Sequence, residues 1–217
     1  MKQFLVIGLG NFGYHLAIRL YEKGHDVLAL DKNSDLVQNI KDHVTQAIVA
    51  DATDPKTISS LDLKDIDSAI VSIGSNLSNS ILAVLNLQES GIRHIVAKAI
   101  NDPHMRILEK LGVQEISFPE KDIAISTAER LHNPNLIDFL PFMEGYGIIE
   151  LTVPDRFIGK SLREINLTNR YGVQIVAIKE MVPEKLHFIP KADFVLKNSD
   201  ILILFGSDKG LGKMKTD

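Results

Sequence analysis

The 217-residue chain contains no cysteine, which excludes disulfides, thiolate nucleophiles and cysteine-bound metals. It also lacks long apolar runs. Nothing approaches the roughly 20 residues that cross a bilayer, and the most apolar stretch, Ile201 to Phe205, has the length of a strand. The N-terminus carries Lys2 but no apolar leader, because the first helical stretch already holds Tyr14, His15, Arg19, Glu22 and Lys23. Export is not expected, and any membrane role would be carried by a partner. Positive charge is not in excess: a net charge of -4 gives no footprint for nucleic acid. What is present, 45% hydrophobic residues, suffices for a real core in one large domain or two small ones.

Short β-branched runs alternate with amphipathic helical stretches through the first half, the pattern of a parallel sheet covered on both faces. Strands are expected at about 3–7, 26–31, 45–50, 67–73, 94–98 and 114–118, which make a Rossmann-type doubly wound α/β sheet. Asp54-Pro55 and Asp102-Pro103 read as helix N-caps followed by proline at the first helical position, and Gly24, Gly91 and Gly112 as helix stops. One more helix is expected from Glu120 to Leu131, ended by the Asn133-Pro134-Asn135 breaker and followed by a linker. From about Gly147, short strands at 148–153, 173–179, 186–189 and 201–205, with one short helix starting near Ser161, indicate a second, small α+β domain.

Gly8-Leu9-Gly10-Asn11-Phe12-Gly13 directly follows the apolar run Phe4-Leu5-Val6-Ile7, and Asp31 closes the next apolar run. Three glycines alone can mark any tight turn. Here a strand precedes them, a helical pattern follows, and Asp31 stands eighteen residues past Gly13, where a ribose hydroxyl needs an acceptor. Gly8 permits the turn out of the strand, Gly10 lets the backbone approach a phosphate, and Gly13 lets the helix pack close to the sheet. The helix N-terminus then offers unpaired N–H groups to an anion.

On the same carboxyl edge of the sheet lie Asp51-Ala52-Thr53, Ile73-Gly74-Ser75-Asn76 and Lys98, after the third, fourth and fifth strands. Each also has a plainer reading. Thr53 or Asp54, and Ser75 or Asn76, can cap the helices that follow, Lys98 can be a solvated strand-end lysine, and Glu120 a first-turn helix acid. Gly159-Lys160-Ser161 is no P-loop, since Pro154 occupies the place of its first glycine, and a serine N-cap explains the tripeptide. The seven histidines are scattered without metal-ligand spacing.

The ordered set Ile7 to Gly13, Leu30-Asp31, Ala50-Asp51-Ala52-Thr53, Val96-Ala97-Lys98-Ala99 and Pro119-Glu120-Lys121-Asp122 resembles the RCK, or TrkA-N, domain. The second half is similar to the companion TrkA-C domain. That likeness runs through Gly159-Lys160-Ser161-Leu162, Asn166-Leu167, Tyr171-Gly172, Val176-Ala177-Ile178 and Asp200-Ile201-Leu202 to Gly206. The resemblance implies a TrkA-N nucleotide-binding domain at 1–119, a crossover helix and linker at 120–146, and a TrkA-C domain at 147–217. It further implies a non-catalytic, cytosolic gating ring, octameric and built from dimers, that senses a nucleotide. Its partner would be a membrane-embedded potassium-translocating subunit, to which the ring is peripheral.

By resemblance, the loop from Gly8 through Leu9, Gly10, Asn11 and Phe12 to Gly13 holds the phosphates of an adenine nucleotide, ATP or ADP, with NAD(H) as the other family ligand. Asp31, with Lys32 beside it, takes the ribose, Asp51-Ala52-Thr53 the adenine end, and Ile73, Gly74, Ser75, Asn76 and Lys98 the rest of the pocket. Glu120 matches an acid that binds magnesium or calcium near the nucleotide at a dimer interface. Asn11 departs from the family, where an arginine that reaches the terminal phosphate is common, and this shifts the expectation from a triphosphate towards a diphosphate or NAD(H). Thr168 likewise replaces a common arginine and weakens any cyclic di-AMP site in the second domain. The alternative reading is a small NAD-dependent dehydrogenase of the precorrin-dehydrogenase kind. That enzyme needs a poised acid or base facing the nicotinamide, and the C-terminal region offers only His187 and unpaired carboxylates.

Overall fold

The computed structural model describes residues 1–132 and 135–215, so Asn133 and Pro134 of the expected breaker lie outside the described residues. The chain divides into two compact units, Met1–Glu120 and Lys121–Asp217.

In the first unit, β1 (Gln3–Ile7), β2 (Asp26–Asp31), β3 (Gln46–Val49), β4 (Ser68–Val71), β5 (Ile95–Lys98) and β6 (Glu115–Ser117) form a sheet in the order β3-β2-β1-β4-β5-β6. All the pairings are parallel. Between the strands run α1 (Asn11–Glu22), α2 (Ser34–Ile40), α3 (Pro55–Ser60), α4 (Leu77–Glu89) and α5 (Asp102–Lys110). Each expected strand is present, and the fold is the doubly wound sheet that the alternation predicts. The strands read as continuous apolar runs because both faces are covered. Leu5 and Ile7 pack with Ala83, Val84 and Leu87 of α4 on one side. Val6 and Ala29 pack with Ala17 and Val37 on the other. Each fully buried Leu or Ile side chain of this kind stabilises the fold by about 1.5–3 kcal/mol. Strand order reverses at the β1/β4 pair, so the connections leaving these two strands diverge and open a crevice at the carboxyl edge.

Local punctuation follows the sequence with one correction. Gly24, Gly91 and Gly112 end α1, α4 and α5 in the left-handed region, with φ of 82, 84 and 73. Asp54 caps α3 by accepting the Lys56 amide at 3.0 Å. At α5 the cap is Asn101 rather than Asp102: its side chain accepts the His104 amide at 2.8 Å, and Asp102 is already the first helical residue. Asparagine caps as well as aspartate, and proline is tolerated in the first turn, where its missing N–H has no intrahelical partner.

At the boundary stands α6 (Pro119–His132), and none of its residues is buried. The second unit then comprises β7 (Leu136–Met143), β8 (Tyr146–Thr152), α7 (Leu162–Ile165), α8 (Leu167–Tyr171), β9 (Val173–Met181), β10 (Glu184–Phe188), β11 (Ile201–Ser207) and α9 (Asp208–Lys215). Its antiparallel sheet has the order β10-β9-β11-β8-β7. Here the sequence reading needs correcting, because part of the expected linker is β7. Pro141 disguises the strand, yet β7 lies at the sheet edge, where a missing N–H costs the ladder little, and register shifts between Leu136 and Asp138 and between Pro141 and Met143 absorb the irregularity. Ile149, Leu151, Leu202 and Leu204, at alternate positions of β8 and β11, pack with Phe157, Ile165, Leu167, Leu211 and Met214 in a separate core. Ser161 is the expected cap of α7, in a full capping box: its Oγ accepts the Glu164 amide at 3.3 Å and the Glu164 carboxylate accepts the Ser161 amide at 2.7 Å. The short helices α8 and α9 are additional to the single one expected.

Candidate functional site

β1 ends at Ile7, and Gly8 turns the chain with φ of 90, at a point where a Cβ would lie 3.0 Å from the Ile73 amide nitrogen. Gly13, in the first turn of α1, closes against the same strand end. A Cβ there would come 1.9 Å from the Gly8 carbonyl oxygen and 2.3 Å from Ser72 Oγ. Ser72 donates its hydroxyl to that carbonyl at 2.5 Å and so ties the β4 end to the β1 end. Gly10 is different. Its φ of -63 suits any residue, and nothing lies within 4 Å of where its Cβ would be. The protein's own packing therefore gives no reason for glycine at this position; open space in front of it does.

The strand ends beside the loop carry its polar anchors. Asp31 Oδ2 accepts the Leu9 amide at 2.6 Å, and its Oδ1 accepts the Asn33 amide at 2.8 Å. Asp51 Oδ1 accepts both the Thr53 hydroxyl at 2.7 Å and the Thr53 amide at 2.9 Å. These two hydrogen bonds, with a smaller attraction from Lys32, hold the Asp51 carboxyl below the usual aspartate range. Lys98 Nζ pairs with the Glu120 carboxylate across the other side of the crevice. That bond is the main reason the Glu120 carboxyl also lies below its ordinary value.

Together these groups border a cavity of about 530 Å³, within the range of small-ligand pockets. Of the residues selected from the sequence, Gly8, Gly10, Asn11, Phe12, Asp31, Lys32, Asp51, Ala52, Thr53, Ile73, Gly74, Ser75, Lys98 and Glu120 line it. Leu9, Gly13 and Asn76 do not. Leu9 is buried in the core, Gly13 packs on Gly8, and Asn76 caps α4 by accepting the Asn79 amide at 3.1 Å. The lining also includes Ile7, Leu30, Ala50 and Ser72, which the sequence reading left out. Their signal was positional, since each directly precedes a residue already singled out at a strand end.

The helix termini around the sheet are not alike. One first-turn amide in each of α2, α3, α4 and α5 is taken by the capping side chain, Asn33, Asp54, Asn76 and Asn101 respectively. α1 starts after Gly10, with no side-chain cap and no acid in its first turn. Gly10, Asn11 and Phe12 line the cavity, so the free N–H groups and partial positive charge of this helix end stand at its wall. An anion fits there.

Among the described residues, no three His, Cys, Asp or Glu side chains gather as a metal site. Nor is any helix among them long and apolar enough to cross a membrane. His187, the imidazole weighed for the enzyme reading, meets the Glu180 carboxylate, which also accepts from Lys197 Nζ at 2.6 Å.

Family models match both halves of the chain, the TrkA-N domain over residues 4–119 and the TrkA-C domain over residues 148–216. The Ktr system potassium uptake protein C of Bacillus subtilis (strain 168) is 36% identical over 206 residues, covering 95% of this chain and 92% of the relative. The Ktr system potassium uptake protein A of Vibrio alginolyticus is 36% identical over 216 residues, covering 99% and 97%. Among solved structures, the GsuK channel superposes with a TM-score of 0.70 at 19% identity. It covers 100% of this chain, which spans only 40% of the channel's own length, and the likeness is one of fold. With its N-terminal sheet and loop, its C-terminal sheet and relatives aligned almost end to end, the chain belongs to the TrkA-N/TrkA-C family that includes the Ktr system potassium uptake proteins.

Proposed function

We propose that this chain is a nucleotide-sensing, non-catalytic regulatory subunit of a bacterial potassium uptake system. The observation that carries the reading is the N-terminus of α1 behind Gly10, an anion seat without a side-chain cap and with open space before Gly10. The phosphates of an adenine nucleotide, ATP or ADP, with NAD(H) as the other candidate, lie at the Gly8–Gly13 turn. Asp31 faces the ribose with its remaining lone pairs, and the base rests by Asp51-Ala52-Thr53 against the apolar wall of Ile7, Leu30 and Ala50. Ile73, Gly74, Ser75 and Lys98 complete the pocket, and Asn76 serves it indirectly by capping α4.

A magnesium or calcium ion at Glu120 would draw its other ligands from phosphate oxygens and from a second copy of the chain, since hard cations take oxygen donors. The functional division follows as 1–119 for nucleotide binding, 120–146 for the crossover and 147–217 for the TrkA-C domain. Dimers assembled into an octameric ring, cytoplasmic and peripheral to the membrane, then engage the potassium-translocating partner. A nucleotide that binds two ring conformations unequally shifts their balance by its differential affinity. The dehydrogenase alternative is not supported, because a TrkA-C domain occupies residues 148–216, where that enzyme needs a substrate domain.

Thermal unfolding with ATP, ADP, AMP, NAD, NADH and cyclic di-AMP tests the reading. At a hundredfold excess over its Kd, the cognate nucleotide adds about 2.7 kcal/mol of stability. It is recovered chemically unchanged after incubation, and light scattering finds an oligomer. A panel that leaves Tm flat refutes nucleotide sensing, and sustained turnover refutes the non-catalytic role.

A further inference from the structure

Two lysines line the cavity, Lys32 and Lys98, and they serve different ends of it. Lys32 follows Asp31 and acts on Asp51. Lys98 stands on β5 with its side chain 11% exposed, and its ammonium is held by Glu120, whose side chain is 62% exposed. Gly74 lies beside the ammonium: a Cβ at position 74 would make van der Waals contact with Nζ at 3.5 Å. Asn11, at the start of α1, contributes no charge to that region. Among the described residues, the carboxylate held on Lys98 at the cavity wall is that of Glu120.

We propose that Glu120 is an internal competitor for the outermost phosphate of the nucleotide, so that only a ligand whose phosphate reaches Lys98 breaks the Lys98–Glu120 pair and frees Glu120. This deepens the nucleotide reading above and rests on it. The exchange replaces one charge-assisted hydrogen bond by another, so its cost depends on whether a phosphate arrives and not on the base or ribose. Adenosine leaves the pair closed. A polyphosphate chain opens it and releases a carboxylate in the first turn of α6. That helix buries none of its own residues and leaves Ile123 and Leu131 exposed. The pair converts the length of a bound phosphate chain into a change at the head of the segment that leads to the second unit.

The test is calorimetry with adenosine, AMP, ADP and ATP in the presence of a chelator, which removes any contribution of a divalent cation. Glu120→Gln is expected to tighten binding of the ligand that reaches Lys98 about tenfold, the order of one charge-assisted hydrogen bond no longer broken, and to leave adenosine unchanged. Glu120→Ala gives the same direction, and the exposure of the side chain keeps both variants folded. In a Lys98→Met background the gain disappears. Hydrogen exchange in the first turn of α6 rises with the phosphate ligand and not with adenosine. Unchanged or weaker binding by Glu120→Gln overturns the proposal. So does a gain that persists in Lys98→Met, which is then plain repulsion between Glu120 and phosphate. Failure of every adenine nucleotide to bind the wild type is a distinct outcome, one that removes the nucleotide reading itself.

Discussion

Asp31 Oδ2 accepts the backbone amide of Leu9 at 2.6 Å, fastening the end of β2 to the middle of the glycine turn. With its second oxygen on the Asn33 amide, this carboxylate orders the backbone as well as lining the cavity. Asp31→Ala leaves two amides without an acceptor and is expected to cost about 1–3 kcal/mol of stability even in the absence of ligand. Asp31→Asn, which keeps one accepting oxygen, costs less. Urea denaturation of the ligand-free variants measures both, and wild-type stability in Asp31→Ala contradicts the anchoring role.

The first and last steps of the glycine motif separate fold from ligand. Gly13→Ala drives a methyl group to 1.9 Å from the Gly8 carbonyl oxygen, and unfolding or a loss of several kcal/mol, about 3 or more, is expected. Gly10→Ala meets nothing within 4 Å and keeps a φ that alanine adopts, so stability stays within about 1 kcal/mol of wild type. Nucleotide affinity is nonetheless expected to fall in Gly10→Ala, because the added methyl enters the cavity at the end proposed for the phosphates. Thermal melts paired with calorimetry distinguish the two.

In the second unit, Lys197 and then His187 hold the Glu180 carboxyl below the ordinary glutamate value of 4.5. A carboxyl with a lowered value in the folded state binds protons more readily once unfolded, so its stabilising effect is complete above the ordinary range and fades as pH falls through the lowered value. Wild type is therefore expected to exceed Glu180→Gln in stability at neutral pH, with the difference shrinking on acidification below pH 4.5. Denaturation midpoints of both proteins across an acid series give the answer; a gap that widens towards low pH contradicts it.

Asn11 offers the site no charge where the helix begins. Asn11→Arg adds a cation at the cavity wall and is expected to raise the ATP-over-ADP preference about tenfold, in line with one charge-assisted hydrogen bond. Competition titrations of the two nucleotides report the ratio. An unchanged ratio would place the terminal phosphate away from α1.

The doubly wound sheet was legible because each strand is a short apolar run between helix punctuation, from Phe4-Leu5-Val6-Ile7 to the glycine stops. The glycine turn and its acid were legible for the same reason, since each sits at the end of such a run. β7 was not, because Pro141 and the bulged register obscure its alternation. α9 was hidden by Gly210 and Gly212, poor helix formers locally, and is held instead by burial of Leu211 and Met214. The Glu180–His187–Lys197 cluster joins a hairpin to a distant loop, and no spacing along the chain announces such a pairing. Lys98 and Glu120 were each visible, but their union was not.

The strand order has one more consequence. The glycine turn, Asp31 and Asp51 all belong to the β1-β2-β3 side of the sheet, while Ser72, Gly74, Lys98 and Glu120 belong to the β4-β5-β6 side. The cavity is thus a seam, and the two sides are stitched at its floor by β1–β4 pairing and the Ser72–Gly8 bond. A molecule that spans the seam behaves as a removable rivet, coupling the two halves of the sheet so that they resist separation together.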